Sequence, residues 1–212
     1  MAQRERMSRR GDATPDKVPN HILVPKGVGW LLLIGCYGMF ALSLSLGVPI
    51  LVAVLRRLAT IGAPGGTAAP TVWIMLGLIG QSITAANLLA QHSGAVGETS
   101  LRTILHAFGL GYGIVVGAVG VGVFIVAMTT TVRAVRRGLP FALTWWSFTF
   151  PLGTCVTGAT ALRGSALQDH PVFAGWLLGL SVLFYAVLVG VWAVVASRTV
   201  VHSWTGRLFR VA

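Results

Sequence analysis

Two stretches of the chain set polar side chains at helical spacing inside otherwise apolar sequence. In the first, Gly77, Gln81, Thr84, Asn87 and Gln91 recur at three- and four-residue steps. At about 100° per residue they share one helix face. In the second, Ser147, Phe150, Thr154, Thr157 and Ala161 share a face in the same way. Pro151 stands among them; proline removes one helical hydrogen bond, and a kink is expected there. Cation pumps and proton relays need intramembrane carboxylates, and neither stretch has one. Hydroxyls, amides and helix dipoles suit reversible contact with an anion or a neutral solute instead. The stripes have a second reading, as polar glue between helices. Two stripes on alternate apolar segments, one with a proline inside it, favour a polar route.

Other chemistry is weakly represented. Gly80-Gln81-Ser82 with His106 could be forced into an intramembrane serine dyad, but Ile83 replaces the glycine that the strained turn needs. His92 and His106 read as interfacial histidines before they read as haem ligands. Phosphate-binding loops and zinc spacings are absent. Cys36 and Cys155 both lie in apolar runs and behave as small apolar residues. No cofactor, metal or enzymatic reaction is expected.

The elements that must carry these residues are membrane helices. Of 212 residues, 55% are hydrophobic and 10% charged, with five acidic residues in all. Soluble domains carry about 25% charged residues, so the composition excludes both a soluble globular domain and a disordered chain. Five apolar spans are expected, at about 28–55, 70–91, 104–132, 140–162 and 171–196. Each is long enough to cross about 30 Å of hydrocarbon as a helix, and helices satisfy the backbone inside lipid. None contains Asp, Glu, Lys or Arg. Pro70, Pro140 and Pro171 open three of them, as suits a first helical turn. Short polar or Gly/Pro-rich loops are expected at 62–69, 93–100 and 163–170. Residues 1–27 read as a disordered basic tail, and 28–212 as the transmembrane domain.

Charge gives an orientation. Arg56, Arg57, Arg133, Arg136, Arg137, Arg198, Arg207 and Arg210 follow the odd-numbered spans, whereas the opposite loops hold Arg102 and Arg163. The positive-inside rule places the C-terminus in the cytoplasm. The net charge of +11 is thereby read as membrane anchoring, without a nucleic-acid partner. Gly109, Gly113 and Gly117 on the third span, and Gly175 and Gly179 on the fifth, form small-xxx-small steps that let helices approach closely.

The run GLPFALTWWSFTFPLGTCVTGATAL, at 138–162, resembles the ninth helix of the tellurite-resistance/dicarboxylate transporter family. LGLIGQSITAANLLA, at 76–90, resembles its seventh. The family includes bacterial tellurite-resistance proteins, fungal malate permeases and sulfite efflux pumps, and plant slow anion channels. The resemblance implies an all-α integral membrane protein of the plasma membrane. Its five helices correspond to helices six to ten of a ten-helix pore built from helical hairpins, with odd-numbered helices innermost. It implies Phe150 as the pore gate, Pro151 shaping the backbone beside it, and Ser147, Thr154 and Thr157 as wall positions, joined from the seventh helix by Gln81, Thr84 and Asn87. The implied partners are membrane lipid, a small anion, and either two further copies in a trimer or a complementary first half. Helices one to five have no counterpart in the chain, and leucine (Leu78) stands where many members have proline. The other expectation is therefore a truncated, non-transporting membrane subunit that needs a separately encoded first half.

Overall fold

The computed structural model describes residues 26–62, 66–93 and 99–205. Every regular element among them is helical, as expected. Helix α1 is Lys26–Ile61, α2 is Ile74–His92, α3 is Thr99–Arg136, α4 is Thr149–Ala166 and α5 is Pro171–Trp204. Two 3-10 segments, Gly66–Trp73 and Leu143–Phe148, lead into α2 and α4. The basic tail expected at 1–27 lies outside the described residues up to position 25, and Lys26 and Gly27 open α1. Arg207 and Arg210 also lie outside them.

Four segments are long and apolar enough to cross a membrane: Gly27–Ile61, Ala69–His92, Thr99–Arg136 and Pro171–Trp204. The fourth expected span, 140–162, is different. Proline 140 precedes the helical region rather than opening it, Ala142 is extended, and six residues of 3-10 helix come before α4. The 18 residues of α4 make about 27 Å at 1.5 Å per residue, just short of the hydrocarbon thickness. Pro70 sits within the first 3-10 segment, so of the three prolines only Pro171 occupies a first α-helical turn. Arg163 belongs to the last turn of α4, not to a loop. The helix outlasts the apolar run because its final turn packs Ser165 and Ala166 inside.

The ends of α1 and α3 follow glycine chemistry. Gly62 has φ +92° and Gly138 φ +81°, a region that costs residues with a Cβ. Behind α3, Leu139 N–H donates to Ala134 O at 3.1 Å and Gly138 N–H to Val135 O at 3.0 Å. This pair of bonds closes the helix carbonyls in a Schellman cap.

Helices α2 and α3 form one antiparallel hairpin, and α4 and α5 form another. The first is joined at one end by Trp73 Nε1, which donates to Thr131 Oγ1 at 2.8 Å. Along it, α3 glycines meet α2: a Cβ at Gly109 would stand 3.1 Å from that of Ala90, and one at Gly120 3.1 Å from Ile79 Cγ2. The second hairpin is tied by Thr160 to Ser181 and by Trp146 Nε1 to Thr199 Oγ1. Past it, His202 stacks on Phe141 with ring centres 4.9 Å apart, and Arg198 lies over Trp145. The two hairpins meet through α2 and α4, which run parallel. Trp73 makes edge contacts with Phe124 and Phe148, drawing α3 and the second 3-10 segment into one core. Helix α1 is mostly exposed and leans on α2 where Gly47 faces Leu78.

Gly138→Ala should lower stability by about 1–2 kcal/mol, the cost of a Cβ in the left-handed region. Gly122→Ala adds a Cβ with nothing within 4 Å and should be neutral or stabilising. Thermal unfolding of both variants in detergent checks this, and equal shifts would contradict it.

Candidate functional site

The site is built on the α2–α4 pair, the two helices that carry the polar stripes. Their closest approach is backbone to backbone. A Cβ on Gly80 would stand 2.5 Å from the Thr154 carbonyl oxygen, and one on Gly158 would stand 3.0 Å from the Gly80 carbonyl oxygen. Only glycine allows this spacing, as at small-residue crossings of membrane helices.

One turn further along, Thr84 Oγ1 lies 3.1 Å from Thr157 Oγ1. Thr84 also donates to Gly80 O at 2.9 Å, and Thr157 to Thr154 O at 3.1 Å. Each hydroxyl has one proton, so the two donors choose between a helix carbonyl and each other. Either can be redirected to a solute without leaving a carbonyl wholly unbonded, since the helix ladder already uses it. At the end of the pair, Gln91 Nε2 donates to Ala161 O at 2.9 Å and to Ser165 Oγ at 3.1 Å. Gln91 packs on Gly164, where a Cβ would come within 3.0 Å of it.

Phe150 is the second residue of α4 and is 56% exposed. On α4 it lies on the same face as Thr157, seven residues on. Its ring covers Gly77 of α2: a Cβ there would stand 2.7 Å from Phe150 Cε1. Pro151 follows in the first turn of α4, where the N–H it lacks has no intrahelical acceptor. It therefore marks the junction of 3-10 and α helix, in place of the expected mid-helix kink.

The remaining stripe residues divide between surface and seam. Gln81 is exposed and lines a cleft of about 600 Å³ between α1 and α2, with Ser43 and Ser82 among its neighbours. Asn87 is fully buried and turns to the α2–α3 seam, where its Nδ2 donates to Ile83 O and would meet a Cβ on Gly113 at 3.0 Å. Its Oδ1 has no partner. Thr154 is buried between α2 and α4 and donates to Pro151 O at 2.8 Å. Ser147 is half-buried and bonds Thr144 O within its own 3-10 segment. In this chain Asn87, Thr154 and Ser147 thus bond carbonyls three or four residues back on their own segments, and Thr154 also reaches Leu76 O of α2 at 3.4 Å.

The glycine expectations divide similarly. Gly109 and Gly113 sit at helix contacts, and a Cβ on Gly117 would meet only Ile83 Cδ1, at 4.0 Å. Gly175 and Gly179 face open space, so they pack against no other helix among the described residues. Sequence reasoning passed over Gly77, Gly80 and Gly158 as contacts because none belongs to a four-residue glycine step. The signal available was their position on the stripe faces. Ser82 donates to Ile79 O at 2.8 Å, which occupies the hydroxyl that a serine dyad would need. Among the described residues no three His, Cys, Asp or Glu side chains could hold a metal.

The described helices form a membrane-type bundle with a polar parallel pair and an exposed aromatic ring. The chain belongs to the voltage-dependent anion channel (SLAC1) family, which matches it over residues 16–200. This is the family that the two sequence runs resemble. Two uncharacterized transporters of Methanocaldococcus jannaschii are each 28% identical to it, over 146 and 143 residues. Each alignment covers 67% of this chain and 38% of the relative, so the chain spans well under half of their length. No solved structure matches it.

Gly80→Ala should cost about 1–3 kcal/mol, the usual penalty of overpacking, because the added carbon meets backbone that cannot rotate away. Gly111→Ala, with nothing within 4 Å, should leave unfolding in detergent unchanged. A tolerated Gly80→Ala would contradict the close crossing.

Proposed function

We propose that the chain forms part of a pore for small anions, with the accessible face of the α2–α4 pair as wall and Phe150 as gate. The observation that carries the reading is the seat of the Phe150 ring. It lies over Gly77, exposed, on the face of α4 that also bears Thr157. Such a ring can block a lumen when seated and open it by a rotamer change. The wall offers the redirectable hydroxyls of Thr84 and Thr157, with Gln81 and Gln91 nearby. Neutral donors of this kind bind an anion weakly enough to release it. No covalent step is involved.

Fixed positive charge flanks the membrane instead of lining the wall. Arg56, Arg57, Arg133, Arg136, Arg137 and Arg198 follow or close α1, α3 and α5 at one end of the bundle. By the positive-inside rule that end is cytoplasmic, in the plasma membrane. The substrate class is a C4-dicarboxylate such as malate, sulfite, tellurite or an inorganic anion. Two inner helices cannot enclose a lumen alone. In this reading further inner helices complete the lumen, from other copies of the chain, as in a trimer, or from a complementary first half, separate or in the same polypeptide.

Anion flux into liposomes tests this. Phe150→Ala should raise flux of chloride, nitrate, sulfite or malate severalfold or more; removing about 1.4 kcal/mol from a barrier is tenfold in rate. Gly77→Ala should also raise it by dislodging the ring, and should add nothing in the Phe150→Ala background. Unchanged flux in Phe150→Ala would refute the gate. No flux from any variant would favour a non-transporting subunit.

A further inference from the structure

A cavity of about 350 Å³ lies between the two hairpins, behind the Gly80–Gly158 crossing and away from the polar face. All four helices α2 to α5 line it. Its lining side chains are Leu, Ile, Val, Ala and Phe, with Cys155 the only one that carries an atom other than carbon or hydrogen. Water needs two to four polar partners to occupy a cavity, and these walls do not provide them. The volume falls in the range of small-molecule sites, roughly 300–1,000 Å³.

The rim identifies the occupant. Val121 of α3 and Leu180 and Leu183 of α5 border the cavity and are 61%, 41% and 58% exposed. They lie on two helices long and apolar enough to span the membrane, so the opening faces lipid. Its level is set by Gly117 and Gly120, at the middle of α3. At that depth the surrounding medium is hydrocarbon. No charged side chain lines the cavity, so nothing there would hold a headgroup.

We infer that this cavity is a binding site for one acyl chain of a membrane lipid, inserted between α3 and α5 to reach the back of the α2–α4 crossing. The site does not depend on the pore reading. Gly117 and Gly120 widen it by leaving two wall positions of α3 without side chains. Because a Cβ on Gly117 meets only Ile83 Cδ1 at 4.0 Å, a larger side chain there grows into the void without striking backbone.

The test uses the full chain in phosphatidylcholine nanodiscs containing a phosphatidylcholine with a diazirine in mid-acyl chain. After illumination, adducts should concentrate on residues 155–162 and 177–184. Gly117→Leu should lower their yield roughly ten-fold, the scale on which added methylenes exclude a ligand from an apolar pocket. Gly117→Val should give a smaller loss and serves as the second variant if the leucine form does not fold. Gly122→Leu, on the exposed face of α3, should leave the yield unchanged. Adducts spread over the outer faces of α1 and α5 in proportion to exposure, and insensitive to Gly117, would show annular lipid only and overturn the inference.

Discussion

The contact on which the rest depends is the backbone approach of Gly80 to Gly158 and Thr154. Lipid supplies no hydrophobic drive between helices, so association rests on van der Waals packing and interhelical hydrogen bonds. Two glycine surfaces allow both. They bring the helices close enough for Thr84 to reach Thr157 and for Gln91 to reach Ala161 and Ser165. They also bring Gly77 under the Phe150 ring. A wider spacing would remove every one of these contacts together, because each lies on the same pair of faces.

A second constraint is that polar groups inside a membrane find partners within the protein. Most hydroxyls here solve it locally. Ser82, Thr84, Thr131, Thr160 and Ser181 each bond a carbonyl three or four residues back on their own helix. A threonine satisfied in this way can face lipid, a neighbouring helix or a lumen at similar cost. That is why a polar stripe in an apolar span does not by itself announce a pathway. Asn87 is one exception among the described residues: its amide nitrogen is satisfied while Oδ1 is buried without a partner. Such an acceptor is costly in a medium of low dielectric.

The helical membrane class was legible because charge depletion over twenty residues has few explanations other than a bilayer. The family was legible from two runs in order. Within the site, the helical wheel identified the faces but not their neighbours. Thr84 and Thr157 were grouped with Asn87 and Thr154, although the first pair is accessible and the second is packed away. The difference arises from the crossing point and the lean of α3, which are tertiary properties. Pro151 was read as a kink because the α-helix was expected to start near Pro140. The extended Ala142 and the 3-10 segment moved that start to Thr149, which turned the proline into a first-turn residue. Gly175 and Gly179 had the spacing of a contact motif but face no helix among the described residues, since spacing states what a surface permits and not what meets it.

The two hairpins run in the same sense: α2 returns through α3, α4 returns through α5, and α2 lies parallel to α4. One hairpin is therefore carried onto the next by rotation about an axis along the helices, without inversion. Repeated steps of such a rotation trace a ring. For a given number of hairpins its bore is proportional to the distance between adjacent inner helices. In the proposed pore, the Gly80–Gly158 spacing is that distance. In such a ring, pore width is a property of glycines that a permeating ion never touches.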